Sequence, residues 1–188
     1  MAEIFPTQQT NVMELEFSTP PLRLPDAEST AEFVLTKMLK FCAQKTGVDD
    51  VSAVIDHLQQ NDNTACQYCR YGMAKQVGES LGALDENIKA VYTLDYDATP
   101  EDLCFGETPQ TLLVHMIIWA KRKTGALDSL VAALDRALAQ KYGDLIGNHQ
   151  LVHLLDVQVV DDADVQNRTG YGASLSSLHH RPIQVWER

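Results

Sequence analysis

Two of the four cysteines are close enough in sequence to act as a chemical pair, in the segment Cys66-Gln67-Tyr68-Cys69. Thr64 and Gln67 form a capping box, which predicts that a helix begins at Thr64. Cys66 would then lie in the first turn, where unpaired amides and the helix dipole stabilise a thiolate and lower the pKa of the thiol. Cys69 follows one turn later, within disulfide reach. The spacing therefore predicts a catalytic pair for thiol–disulfide exchange.

The same two sulfurs are candidate metal ligands. Cysteine thiolates bind zinc and iron, so Cys66 and Cys69 would form half of a zinc or iron site. Cys104, Cys42 or a histidine would supply the remaining ligands. A third interpretation is structural, because small cysteine side chains also pack well at the start of a helix. The sequence leaves these three roles open.

His149 and His153 are the histidines with metal-ligand spacing. Residues separated in this way share one face of a helix, so the pair is a candidate set of metal ligands. The HExxH motif of metalloproteases carries a glutamate after its first histidine, whereas this chain has Gln150. Residues 149–154 also fit the start of a strand, in which the two histidines would not share a helix face.

The cysteine segment resembles the motif of alkylhydroperoxidase-type helical proteins. Proteins of that family carry a histidine one turn after the second cysteine, where this chain has Met73. A thioredoxin-like site instead requires a strand immediately before the cysteine pair. Residues 51–58 have helical spacing, which argues against that second arrangement.

An acidic segment, Asp95-Tyr96-Asp97-Ala98-Thr99, follows an apolar run and resembles the first motif of haloacid-dehalogenase-type phosphatases. The resemblance implies that Asp95 is a nucleophile, that Asp97 is a general acid and that magnesium binds nearby. If the sheet is parallel, the segment Asp161-Asp162-Ala163-Asp164 would lie at the same edge and could help to hold the cation. The alternative is that these polar residues simply end strands. Magnesium is less favoured by the sequence than zinc or iron.

The pattern of apolar residues predicts a helix-rich α/β or α+β domain. Helical spacing predicts helices over residues 29–46, 51–58 and 64–84. Apolar runs predict strands over 87–97 and 182–186, and alternating apolar and polar residues predict a strand over 155–159. The sheet would contain three or four strands. Gly72, Gly78 and Gly82 in the third helix indicate that another element packs closely against it. Residues 1–28, rich in proline, form a predicted arm, and residues 29–188 form one domain.

Residues 110–142 have apolar side chains at helical spacing and predict the longest helix. Thr124-Gly125 is a stop signal, so two helices are almost as well supported as one. The apolar residues around Trp119 are more numerous than one helix face needs in a small domain. They predict a homo-oligomer that associates through a helical surface.

Composition excludes several classes of partner. The 188-residue chain has 15 basic and 26 acidic side chains, and its formal charge of -11 opposes binding to nucleic acid. The most apolar run, 112–120, is about half of what a bilayer requires, so no membrane span is expected. The sequence has no export or lipidation signal, which predicts a soluble, cytoplasmic protein with reduced thiols.

Three functional classes remain after these exclusions. A non-catalytic interaction or oligomeric protein is the first, because neither chemical motif is complete. A thiol-redox or metal-binding protein using Cys66 and Cys69 is the second. A magnesium-dependent, phosphatase-like enzyme using Asp95 and Asp97 is the third.

Overall fold

The computed structural model describes residues 27–94, 112–177 and 181–188, which form six helices and four strands. The helices are α1 (Ala27–Thr46), α2 (Val51–Gln59), α3 (Asn63–Leu84), α4 (Gly125–Ile146), α5 (Asp162–Asn167) and α6 (Tyr171–Ser174). The strands are β1 (Ile88–Thr93), β2 (Val114–Ala120), β3 (Leu155–Val160) and β4 (Ile183–Glu187). This α+β architecture confirms the predicted helix-rich domain with a small sheet.

The four strands form one mixed sheet in the order β3-β2-β1-β4. β2 pairs in parallel with β3 and antiparallel with β1, and β1 pairs antiparallel with β4. Parallel neighbours require a long crossover, which α4 provides between β2 and β3. β1 occupies an interior position, which accounts for its continuous apolar run.

The long helices pack on one face of the sheet. Val91 of β1 and Ile118 of β2 are partners in register on this face. α3 approaches it so closely that a Cβ atom added at Gly78 would lie 3.2 Å from the Cβ of Val91. The apolar core here combines α1, α3, α4 and the sheet, and includes Val34, Met38, Met73, Val77, Leu81, Met116, Ile118, Leu134 and Leu138.

The glycines of α3 lie where neighbouring elements come closest, as their spacing predicted. A Cβ atom at Gly72 would lie 2.9 Å from the ring of Phe41 in α1, and one at Gly82 would overlap the indole of Trp186 in β4. Without side chains at these positions, α3 can lie directly against both its helical neighbour and the edge of the sheet.

The prediction of a helix over residues 110–142 is wrong in its first half. Val114–Ala120 forms β2, and α4 begins at Gly125 with Thr124 as its N-cap. The Thr124 hydroxyl accepts a hydrogen bond from the Leu127 amide at 3.2 Å. Apart from His115, the run has apolar side chains on both faces of the sheet, and such a run matches helical and strand spacing equally well.

The strand assignment also removes the basis of the predicted oligomer surface. Ile117 and Ile118, which supplied the apolar excess, are fully buried in the sheet. They therefore no longer indicate an exposed helical face, and association of the chain with itself stays a prediction. Within the described ranges, no helix is both long and apolar enough to cross a membrane.

Candidate functional site

Cys66 lies deeper in its helix than the sequence predicted. α3 begins at Asn63 with Asp62 as its N-cap, and the Asp62 carboxylate accepts the Ala65 amide at 2.8 Å. The Cys66 amide donates to the Asp62 carbonyl at 2.9 Å. The prediction that Thr64 caps the helix is therefore wrong. Cys66 follows the unpaired amides of the first turn, so it lacks the position that would activate it.

Three thiols gather between α1 and α3. Cys42 and Cys69 are fully buried, and the Cys42 thiol donates to the Ala65 carbonyl at 3.5 Å. Burial raises the pKa of the Cys66 thiol, and the nearby Arg70 guanidinium opposes this in part. A hydrogen bond to Cys42, together with burial, raises the pKa of Cys69. Thiols of this kind are typical of a packed core, and the catalytic role of Cys66 and Cys69 stays a prediction.

The predicted metal ligands that lie in the described part of the chain do not form a metal site. Among residues 27–94, 112–177 and 181–188, no three His, Cys, Asp or Glu side chains are placed to hold a metal ion. The helix predicted to align His149 and His153 is absent, because the described helix α4 ends before them at Ile146. Cys104 lies outside the described residues. A zinc or iron site that includes it stays a prediction.

Each of these histidines pairs with an aspartate instead. His149 Nδ1 lies 3.1 Å from Asp144 Oδ1, and both side chains are exposed. His153 Nδ1 lies 2.7 Å from Asp135 Oδ2. Asp135 is buried in α4, and its other oxygen accepts the amides of Leu154 and Leu155, each at 2.8 Å. Asp135 therefore fixes the start of β3 to α4.

The two strands that precede the acidic segments do not end at the same end of the sheet. β1 runs antiparallel to β2 and therefore also to β3, so the carboxyl ends of β1 and β3 lie at opposite ends of the sheet. The parallel arrangement assumed for a magnesium site is wrong. Asp161 and Asp164 cap α5 instead, and Lys123 Nζ lies 2.6 Å from Asp164. Asp95 and Asp97 lie outside the described residues.

A shallow groove lies between the start of α1 and the end of α3. Its volume is about 470 Å³, and Phe33, Ala83 and Leu84 line it. Phe33 is 52% exposed, with Lys37 Nζ 5.4 Å from the centre of its ring. An interaction role is compatible with this groove, but the described residues around it carry no feature that identifies an occupant.

The sheet face opposite the core carries a set of polar and aromatic side chains, here called the polar sheet face: Tyr92, His115, Trp119, Asp156 and Gln158. The strand register aligns them. His115 lies opposite Asp156, and Ile117 lies between Tyr92 and Gln158 on the flanking strands. Alternation along each strand places all of these residues on one side of the sheet.

The centre of the polar sheet face is a hydrogen-bonded chain of three side chains. His115 Nδ1 lies 2.8 Å from Asp156 Oδ2, and Gln158 Nε2 donates to Asp156 Oδ1 at 3.2 Å. An ionised carboxylate only accepts hydrogen bonds, so Nδ1 of His115 carries the proton that it donates. The carboxylate thereby fixes both the orientation and the tautomer of the imidazole.

The surroundings of His115 combine an apolar floor with a phenol that remains protonated. Ile117 and Ala90 are buried on this side of the sheet. Burial, followed by the charge of Glu187, raises the pKa of Tyr92. Its hydroxyl therefore stays a hydrogen-bond donor at neutral pH. Tyr92 is a diagonal neighbour of His115, at a typical Cβ separation of about 7 Å.

One end of the polar sheet face is fixed by Trp119. Its indole N–H donates to Asp162 Oδ1 at 2.8 Å, and Lys89 Nζ lies 2.8 Å from the same oxygen. The ammonium also lies 4.2 Å from the centre of the indole ring. The three side chains therefore hold one another, and α5 begins directly beside the sheet.

Acid should weaken this cluster. Hydrogen bonds from Lys89 and then Trp119 hold the pKa of the Asp162 carboxyl below its ordinary value. The stability that these hydrogen bonds to ionised Asp162 contribute is fully present above the unfolded-state pKa of about 3.9. It is lost as pH falls through the folded-state pKa. In urea unfolding below about pH 4, we expect Asp162→Asn to lose stability less steeply than the unaltered protein. Equal slopes would contradict this assignment.

The sequence analysis missed the polar sheet face for one main reason. Because residues 110–142 matched helical spacing, His115 was assigned to a helix rather than to a strand. Asp156 and Gln158 were recognised as the polar positions of an alternating strand. The β-branched and aromatic residues of Val114–Ala120 are the signal that would have placed His115 on a neighbouring strand.

Comparisons of the chain with protein-family models, with curated proteins and with solved structures find no match.

Proposed function

We propose that the polar sheet face binds a small molecule and that His115, oriented by Asp156, exchanges a proton with it. The observation that carries this proposal is the 2.8 Å contact between His115 Nδ1 and Asp156 Oδ2, with Gln158 holding the other oxygen. A base oriented by a second hydrogen-bonded group is the usual arrangement for proton transfer.

The surrounding residues favour a ligand with an apolar or aromatic body and an oxygen acceptor. Binding sites are mostly apolar with a few well-placed polar groups. Ile117 and Ala90 are buried on this side of the sheet and make the surroundings of His115 apolar, and the Tyr92 hydroxyl, kept protonated by burial, supplies a donor. The His115 and Asp156 side chains are 30% and 44% exposed, so they are packed but accessible to solvent.

A ligand screen tests the proposal. Aromatic carboxylic acids, phenols and aryl ketones would be screened by saturation-transfer NMR against the intact protein. We expect His115→Ala to weaken the binding of the hits by about tenfold to a hundredfold, the loss of one hydrogen bond to a charged group. His149→Ala is the matched control, because His149 also pairs with an aspartate but lies on an exposed loop.

The aspartate gives a second, conservative test. Asp156→Asn keeps the shape of the side chain but makes its amide compete as a donor, so His115 should lose its fixed tautomer in ¹⁵N NMR spectra. Asp144→Asn, the equivalent change beside His149, should leave His115 unaffected. The proposal fails if no probe binds, or if His115→Ala and His149→Ala bind the hits equally.

A further inference from the structure

One face of α1 carries aromatic and basic side chains and continues the groove between α1 and α3. Phe33, which lines the groove, is followed at helical spacing by Lys37, Lys40, Phe41 and Lys45. These five side chains are here called the basic–aromatic face. Its three lysines are exposed, and so is half of the Phe33 side chain. The groove alone does not identify an occupant, but the charge of this longer face restricts the choice.

The second aromatic ring of the basic–aromatic face is fixed against α3. A Cβ atom at Gly72 would lie 2.9 Å from the ring of Phe41, and the centres of the Phe41 and Tyr71 rings are 5.7 Å apart. On its outer side, Lys45 Nζ lies 5.7 Å from the centre of the Phe41 ring. The face is therefore a formed surface, with aromatic rings and ammonium groups in alternation.

The lysines of the basic–aromatic face have no carboxylate partner in the described part of the chain. The lysines that form ion pairs there are Lys75, Lys89, Lys123 and Lys141. Glu79, which lines the groove, lies 4.0 Å from Lys75 Nζ. Because the whole chain has a formal charge of -11, a positive surface is exceptional in this protein. Cations beside exposed rings favour a ligand that is both acidic and apolar.

We infer that the groove and the basic–aromatic face bind the chain's own N-terminal arm, through residues 12–17. These residues lie outside the described ranges, and their sequence is Val12-Met13-Glu14-Leu15-Glu16-Phe17. Leu15 and Phe17 would fill the apolar groove, and Glu14 and Glu16 would pair with the lysines. Residues 1–26 contain four acidic side chains and one arginine, so the arm has the charge opposite to that of the face.

The length of the arm allows this contact. Phe17 precedes Ala27, the first residue of α1, by ten residues, and a chain of that length spans up to about 33 Å. Along the helix axis, Phe33 lies about 9 Å and Phe41 about 21 Å from Ala27. The tether also gives the arm a high effective concentration at the face, on the order of millimolar. A segment of another molecule lacks this advantage, which favours the chain's own arm.

Photo-crosslinking of the full chain tests the inference. The photoreactive residue p-benzoylphenylalanine would replace Phe17, and crosslinked peptides would be located by tandem mass spectrometry after irradiation. We expect crosslinks within one chain to the groove, at Phe33, Ala83 or Leu84. The same residue in place of Phe5 is the matched control, because Phe5 belongs to the arm but not to the proposed segment. Its crosslinks should not concentrate at the groove.

Charge reversal distinguishes specific binding from random collision of the arm. Lys37→Glu combined with Lys40→Glu should lower the yield of the crosslink from position 17 about fivefold, the upper value for one exposed ion pair. Adding Glu14→Lys and Glu16→Lys should restore the yield. Arg136→Glu is the control for reversing a charge, because Arg136 is exposed on α4, outside the basic–aromatic face.

Three results would overturn the inference in variants that near-ultraviolet circular dichroism shows to be folded. The first is a spread of crosslinks from position 17 over α2, α4 and the sheet. The second is a crosslink that joins two chains, because the face would then bind a second copy. The third is an equal yield in the Arg136→Glu protein and in the protein with both Lys37→Glu and Lys40→Glu.

Discussion

Replacing Asp135 with alanine should lower the free energy of unfolding by about 4 kcal/mol, because it leaves buried amides without an acceptor. One oxygen of Asp135 accepts the amides of Leu154 and Leu155, and the other lies 2.7 Å from His153. The side chain is 8% exposed, so water cannot replace it fully. Urea unfolding followed by circular dichroism measures the loss.

Asp135→Asn separates the contribution of the hydrogen bonds to stability from that of the charge. The asparagine oxygen can still accept both amides, so we expect a loss of only about 1 kcal/mol. His153→Ala removes the exposed partner alone and should have a similarly small effect. If Asp135→Ala and Asp135→Asn are equally stable, the hydrogen bonds from the Leu154 and Leu155 amides do not contribute to stability as expected.

Gly82→Val should destabilise the protein by about 3 kcal/mol, because a side chain at this position overpacks the core. A Cβ atom at Gly82 would overlap the indole of Trp186, and the Gly82 carbonyl accepts a hydrogen bond from Arg188. The indole would have to move away from α3, and β4 carries it. Thermal unfolding and the fluorescence of Trp186 would report both effects.

Gly125→Ala is the matched control for Gly82→Val. Nothing lies within 4 Å of a Cβ atom added at Gly125, in the first turn of α4. This variant should be as stable as the unaltered protein or slightly more so, since alanine favours helix. Trp186→Leu should reduce the damage in the Gly82→Val background. If the two changes are simply additive, the clash is not the cause.

Secondary structure was predictable wherever local signals were unambiguous. The helix predicted over residues 51–58 is α2, which Asp50 caps, and the alternation after Leu155 predicted β3 correctly. The prediction for β2 was wrong because apolar residues on both faces of a strand remove the period that distinguishes it from a helix. The start of α3 was predicted two residues too late because Asp62 and Thr64 are both good caps, and it is the Asp62 carboxylate that accepts the first-turn amide.

The candidate site was less predictable than the fold. The spacing of Cys66 and Cys69 predicted a reactive pair. Burial, which the sequence does not reveal, decides the chemistry of a thiol. His115 and Asp156 are 41 residues apart and meet only through the register of β2 and β3. Strand register is set by long-range packing, so no local motif predicts the pair.

The place of β1 inside the sheet also has a consequence for folding kinetics. β4 covers one side of β1, and Arg188 donates to the Ile88 carbonyl across a separation of 100 residues. Contacts of such long range form slowly, because a large loop must close first. Until β4 arrives, β1 is an open edge with unpaired amides and apolar side chains, a template for pairing with other chains. Aggregation during refolding should therefore depend on how quickly this last strand docks.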